Sequence, residues 1–299
     1  MLAGDTLDYY LKAGHIASEV RRRVKDVVKE GTSILKICET VEGNIRKMGG
    51  APAFPCNVCI NNIAAHYSSP PNDLNTVPKG AVVKVDLGVH VEGYIADTAT
   101  TVSLSTQYDS MIYAVNDALE QAIKAIQPKA KISQIGSLVQ NTIEKYGFKP
   151  IRNLSGHQMS RYVLHTGKSI PNVPTLRFQS INEGEVYAVE PFLTLASRGG
   201  EVENSDDAYI YRFQKERRIA NPDTAKLLTA IKSNFRSLPF SQRWIKGIEE
   251  REVREAFDEL LAKRCISSYP VLVEVAGGIV AQAEHTVIVT RQGCRVTTR

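Results

Sequence analysis

The chain has 299 residues, of which 43% are hydrophobic and 23% are charged, and its formal net charge is +5. This is an ordinary globular composition, and the chain is long enough to bury a sizeable core in one or two domains. No apolar stretch approaches the roughly 20 residues that cross a bilayer, and the first residues lack the pattern of a signal peptide. We therefore expect a cytoplasmic protein without a membrane partner, and the mild charge indicates no specific nucleic-acid partner.

The first third of the chain predicts two helices followed by a hairpin. Apolar residues recur at helical spacing over 5–30, and the basic run 21–25 fits a solvated helix face. A second helix is expected after Ser33 as its N-cap, ending at Gly49–Gly50. The stretch 82–104 then reads as two strands joined by a tight turn.

The same order recurs in the middle of the chain. Asp109 and Ser133 are predicted N-caps of two further helices, and Gly147 is expected to end the second. The strand-like segment "GEVYAVEPFLT" follows. Two helix pairs, each followed by strands, predict an α+β fold of two related halves, with helices covering a mostly antiparallel sheet.

The last third interrupts this pattern and then returns to it. Residues 215–267 predict a helical insertion, in which Asn221 caps a helix that begins with Pro222. Strand-like residues resume at 277–290 and are expected to complete the sheet.

The five scattered cysteines favour reduced thiols over a disulfide framework. Cys56 and Cys59 form one CxxC without a second pair or a downstream HxxxH, so ordinary thiols are favoured over a zinc site.

Two aspartates stand inside the apolar hairpin, where carboxylates are costly to bury. If Glu92–Gly93 forms a two-residue turn, Asp97 pairs with Gly88, and Asp86 lies diagonal to Asp97 on the same face. Two carboxylates held together must share a proton or a cation.

Three further residues suit the same cation. His157 follows a glycine, Glu190 ends the run "VYAVEPF", and Glu284 lies in "AQAEHTVIV". Each alone reads as a solvated glutamate or a structural histidine, but five such residues in predicted core segments need a common explanation. Four carboxylates and one imidazole suit two divalent ions such as Mn, Fe, Co or Zn, which together equip a site for hydrolysis.

Five motifs now carry a family resemblance, in this order: "FPCNVCINNIAAHY", "VVKVDLGVHVEGYIADTATTV", "NLSGHQMSRYVLHTGKSIPNV", "VYAVEPF" and "AQAEHTVIV". They resemble methionine aminopeptidase, within the pita-bread metallopeptidase fold. The resemblance covers nearly the whole chain and implies one catalytic domain over 1–299. The insertion at about 215–267 resembles the type 2 branch. Without a polybasic N-terminal extension, the sequence is similar to the archaeal form of that branch.

The resemblance also implies roles for single residues. It gives the metal ligands as Asp86, Asp97, His157, Glu190 and Glu284. Glu190 is implied as the general base, and His66 and His165 as residues that contact the scissile amide and stabilise the tetrahedral intermediate. Phe54 and Tyr269 match positions that line the methionine pocket.

The implied activity is removal of the initiator methionine from nascent chains, with small second residues preferred. Its cofactors would be two divalent ions (Co, Mn, Fe, Zn or Ni), and its partners nascent N-termini near the ribosome, bound by a monomer. Two alternatives stay open. A prolidase-like dipeptidase uses the same ligand logic on the same fold, and pita-bread adaptors that have lost ligands bind RNA or ribosomes without peptidase activity.

Overall fold

The computed structural model describes residues 4–176, 178–247 and 250–299. The helices are α1 (Gly4–Arg22), α2 (Val24–Val27), α3 (Ile34–Lys47), α4 (Asp109–Ala125), α5 (Ile132–Lys145), α6 (Pro222–Phe235) and α7 (Glu250–Ala262). The strands are β1 (Ala51–Ile60), β2 (Ile63–Ala65), β3 (Val82–Val91), β4 (Tyr94–Ser103), β5 (Phe148–Pro150), β6 (Ser155–Met159), β7 (Ser169–Pro171), β8 (Val186–Val189), β9 (Phe192–Leu195), β10 (Val202–Phe213), β11 (Ile266–Glu274), β12 (Val280–Gln282), β13 (His285–Thr290) and β14 (Gly293–Val296). None of the helices in this part of the chain is long and apolar enough to cross a membrane.

The two halves each pack a helix pair on strands. In the first half, α1 and α3 cover β1, β3 and β4, and their apolar faces share one buried cluster that includes Ile16, Ile37 and Val85. In the second half, α4 and α5 cover another cluster that includes Leu119, Ile135 and Tyr187. Every strand pairing among the described residues is antiparallel. The predicted α+β architecture is confirmed.

Of the N-caps predicted for α3, α4 and α5, only that of α3 is confirmed. Ser33 caps α3 by accepting a hydrogen bond from the Lys36 N–H at 3.4 Å, as predicted. The Asp109 cap is wrong, because a 3-10 turn capped by Ser105 precedes α4 and Asp109 already has helical backbone angles. The Ser133 cap is wrong as well, because α5 begins one residue earlier and the Ser133 hydroxyl accepts from Thr175 N–H at 3.1 Å.

The β3–β4 hairpin has the predicted register. Val91 pairs with Tyr94 and Gly88 with Asp97, so the turn contains two residues, Glu92 and Gly93. Both have positive φ, 51° and 86°, which is the requirement of the type I′ turn that matches the twist of paired strands. The register follows from this turn.

A substitution at Gly93 tests how much the conformation of the turn contributes to stability. A Cβ added to Gly93 would lie 2.3 Å from the Tyr162 ring, so Gly93→Ala is expected to lower the free energy of unfolding by about 1–3 kcal/mol. Gly31 also has a positive φ, but a Cβ there meets no atom within 4 Å. Gly31→Ala should therefore lower the free energy of unfolding only through backbone strain, by about 1 kcal/mol. Urea unfolding measures both variants. Equal losses of unfolding free energy in Gly93→Ala and Gly31→Ala would show that the contact with the Tyr162 ring is unimportant.

The segment between β10 and β11 contains α6 and α7 with a small core of their own, which includes Leu228, Phe240 and Phe257. The N-cap of α6 is Asn221, which accepts from the N–H groups of Asp223 and Thr224. A 3-10 turn, Gln242–Trp244, links this segment to α3: Arg243 forms a buried ion pair with Glu42. The segment is thereby attached to the first half of the molecule.

Candidate metal centre

The hairpin brings the first two acids together. Asp86 and Asp97 lie on one face of β3 and β4, and the Asp97 side chain is 3% exposed. Burial raises the pKa of Asp86 to about 7. Burial, reinforced by the neighbouring Asp86 and Glu190 carboxylates, raises the pKa of Asp97 well above its usual range. Burial thus disfavours the ionised forms of these carboxyl groups unless a proton or a cation is shared between them.

The other three residues come from adjacent strands of the five-stranded sheet. His157 on β6 pairs with Ala188 of β8, Glu190 follows β8, and Glu284 directly precedes β13, whose first residue pairs with Val189. The three side chains therefore lie at one level of the sheet. His157 Nε2 is 3.4 Å from Glu190 Oε1 and 3.6 Å from Asp97 Oδ2.

Threonines fix the hairpin against this sheet. The Asp97 N–H donates to the Thr286 hydroxyl at 2.7 Å, and that hydroxyl donates back to the Asp97 carbonyl at 2.8 Å. The Thr98 hydroxyl donates to the Glu284 carbonyl at 2.8 Å. Sequence analysis missed these residues, because a buried threonine in a strand carries no signal of what it will contact. They hold Asp97 and Glu284 side by side.

The donor set fits divalent cations. One ligand atom from each of Asp97, His157 and Glu284 lies within 4.8 Å of the others. Asp86 Oδ1 and Asp97 Oδ1 are buried without a hydrogen-bond partner in the described structure. Burial lowers the pKa of His157 well below its usual value, so its ring is neutral and available as a ligand. Buried, unpaired oxygens next to a neutral imidazole need a cation.

All nine predicted site residues line one cavity of about 300 Å³. The four carboxylates and the His157 imidazole form its floor. The centre of the His165 ring lies 4.2 Å from the centre of the His157 ring. Phe54 and Tyr269 contribute to its wall, together with Leu164, Ile210 and Pro239. The cavity is therefore charged at one end and apolar along one side.

His66 is held in an unusual conformation at the edge of this cavity. Its φ is 68°, in the left-handed region that non-glycine residues rarely adopt. Its Nδ1 lies 3.1 Å from the Pro270 carbonyl, which can only accept, so Nδ1 carries the proton and Nε2 is an acceptor. Burial lowers the pKa of His66, which keeps this tautomer neutral.

Comparison with known proteins decides the family. The model of metallopeptidase family M24 matches residues 8–291. The chain belongs to family M24. Its relatives include a methionine aminopeptidase of Methanocaldococcus jannaschii, 46% identical over 289 residues, with 97% of each chain covered. The resemblance seen in the motifs is confirmed, and M24 membership makes the protein a hydrolase that uses divalent metal.

Solved structures share the M24 fold. A methionine aminopeptidase of Thermotoga maritima superposes with a TM-score of 0.70 at 21% identity, covering 100% of this chain and 98% of that one. A thermophilic Arx1 superposes with a TM-score of 0.85 at 18% identity, covering 99% of this chain and 91% of that one. These likenesses confirm the predicted pita-bread fold.

Proposed function

We propose that the protein removes the N-terminal methionine from nascent proteins and peptides by hydrolysis that depends on two divalent ions. The observation that carries this proposal is the single cavity in which a carboxylate-rich floor meets an apolar wall. The named relatives, methionine aminopeptidases that match nearly the full chain, support the same activity. We place it in the cytoplasm, as a monomer of the type 2 branch that meets nascent chains near the ribosome.

Asp86, Asp97, His157, Glu190 and Glu284 would hold the ions. Four carboxylates balance the charge of two divalent cations, and the imidazole adds a neutral donor. Divalent ions bound there polarise the substrate carbonyl and make water acidic enough to attack near neutral pH. The donor set does not select one metal among Co, Mn, Fe, Zn and Ni.

The remaining side chains bind and orient the substrate. The amino terminus of the substrate would bind at the ions as a neutral amine, while the methionine side chain packs against Phe54 and Tyr269. His66 presents its Nε2 acceptor to the scissile amide N–H, and His165 lies beside His157 where charge develops on the carbonyl oxygen. Glu190 takes up the proton that water loses.

The preference for small second residues follows from this placement. His66 is held by backbone contact and cannot move aside without breaking its hydrogen bond to Pro270. A bulky second side chain would collide with it, so Met-Ala peptides should be cut faster than Met-Leu peptides. Equal rates for the two peptides would contradict the proposed orientation.

The function is tested by methionine release from a Met-Ala-Ser peptide. Metal-stripped protein should be inactive, and added Co or Mn should restore release. Glu190→Gln should remain inactive with metal, whereas the exposed Glu203→Gln should behave as the unaltered protein. Cleavage of Xaa-Pro dipeptides without methionine release would favour the prolidase-like alternative. Salt-sensitive RNA binding without any cleavage would favour the adaptor.

A further inference from the structure

A second cavity, of about 270 Å³, lies behind Glu284. It is formed where the end of α1 meets β4, α4 and the residues just before β13. Arg21, Arg22, Lys25 and His285 line it, and we call these four residues the basic pocket. Glu284 forms the wall between the two cavities: its carboxylate belongs to the metal centre, and its carbonyl accepts from Arg21.

Arg21 departs from the sequence prediction that residues 21–25 form a solvated face. Its guanidinium turns inward because the end of α1 packs on β4, where Nη1 approaches the Thr98 hydroxyl at 2.5 Å and His285 Nδ1 at 2.9 Å. Within the described residues, no carboxylate oxygen lies within 4.0 Å of it. A half-buried guanidinium without a carboxylate favours an anion beside it.

His285 adds a neutral donor to the same cavity. Its Nδ1 lies between Arg21 Nη1, which can only donate, and the Thr298 hydroxyl at 2.8 Å. That hydroxyl already accepts from the Thr286 N–H, so its own proton is free for Nδ1. Nδ1 therefore accepts, and the ring proton is on Nε2.

The acids near the basic pocket leave part of its positive charge unpaired. Glu284 lines the cavity and attracts Arg21, but its carboxylate belongs to the candidate metal centre. Glu19 pairs with Arg22 and Arg23 on the outer side of α1, and Glu120 is occupied by both oxygens with Arg299. No ion pair of Lys25 with a carboxylate is found in the part of the chain that the structure describes. The basic pocket thus keeps a surplus of positive charge around an open volume.

We propose that the basic pocket binds a phosphate group, either as free phosphate or as a phosphate monoester. Three cationic side chains and the His285 ring line one cavity, and an oxyanion with several acceptor oxygens can accept hydrogen bonds from several of them at once. Arginine binds such groups through paired N–H donors, and lysine does so as a point charge. The site is separate from the metal centre and does not depend on the proposed peptidase activity.

Calorimetric titration of inorganic phosphate into the metal-free full chain tests this proposal. Removing divalent ions leaves no cation at the metal centre that could hold phosphate there. We expect saturable binding of one phosphate per chain. The double variant Arg22→Gln/Lys25→Gln should weaken it about tenfold or more, because each lost charge-assisted hydrogen bond contributes a factor of that order. Both side chains are exposed, so folding is not at risk.

The matched control is Arg217→Gln/Arg218→Gln, which removes the same charge at another basic cavity. Its affinity for phosphate should equal that of the unaltered protein. Two results would overturn the proposal in favour of general electrostatic attraction. One is an equal loss of phosphate affinity in both double variants, and the other is a heat of binding that does not saturate as phosphate is added. Titration with adenosine monophosphate separates the two sources: tighter binding than phosphate identifies a monoester ligand, and weaker binding identifies free phosphate.

Discussion

Asp97→Asn is expected to abolish methionine release while leaving the metal-free protein at least as stable as the unaltered one. Altering a group that only supports a metal ligand typically costs 10–100-fold, so replacing a ligand should cost more than about 100-fold in activity. Folding raises the pKa of Asp97, so its ionised form destabilises the metal-free protein above the unfolded-state pKa of 3.8. The amide removes this penalty, so the unfolding free energy of the metal-free variant at pH 8 should exceed that of the unaltered protein.

Metal addition should act in the opposite direction, because it stabilises the unaltered protein more than Asp97→Asn. At a free metal concentration 100-fold above Kd, a bound ion stabilises the folded state by about 2.7 kcal/mol. Thermal unfolding with and without Mn should show this gain for the unaltered chain and little of it for Asp97→Asn. Asp206→Asn, an exposed change of the same chemistry, should retain both activity and metal response. Full activity and normal metal content in Asp97→Asn would refute the ligand assignment.

Arg243→Met is expected to cause the largest loss of stability, about 3–5 kcal/mol. The Arg243 guanidinium donates to both oxygens of Glu42, at 2.8 and 3.1 Å, and Glu42 is only 2% exposed. Glu42 also accepts from Trp244 Nε1 at 2.8 Å and from the Cys56 N–H at 3.1 Å. Removing the arginine leaves the buried carboxylate with only the half-exposed Arg46, whose Nη1 lies 4.0 Å from Glu42 Oε2.

Urea unfolding followed by tryptophan fluorescence suits this measurement, because the chain has one tryptophan and it lies in the network. The double variant Glu42→Met/Arg243→Met should lose less stability than Arg243→Met alone, since no unpaired charge remains. Lys232→Ala, which breaks an exposed ion pair with Glu216, should change stability by no more than about 0.5 kcal/mol. A similarly small effect for Arg243→Met would show that the buried pair does not secure the helical segment.

The hairpin acids could be placed from the sequence because their geometry is local. A two-residue turn with positive φ at both positions sets the register, and the register sets which side chains share a face. The helix caps at Asp109 and Ser133 were wrong for the opposite reason. Ser133 contacts Thr175, which is distant in sequence, and a single helix pattern contains no trace of such a partner.

The histidines proposed to contact the substrate show the same limit. His66 depends on a strained backbone and on the carbonyl of Pro270, and only the family resemblance drew attention to it. Arg21 was placed on a solvated face because its neighbours are basic, whereas the packing of α1 on β4 turns it inward. Short-range periodicity predicts which elements form, and the contacts between elements decide what each side chain does.

The position of Glu284 in the chain has a consequence for folding. Asp86 and Asp97 can form their hairpin early, but Glu284 joins them only when β13 pairs with β8 and Thr286 contacts Asp97. Such pairing between distant parts of the sequence is slow, because the chain loses entropy in closing the loop before the stabilising contact forms. During synthesis, the polypeptide therefore cannot bring together the five residues proposed as metal ligands until the residues around 284 have left the ribosome, and metal capture should mark the end of folding.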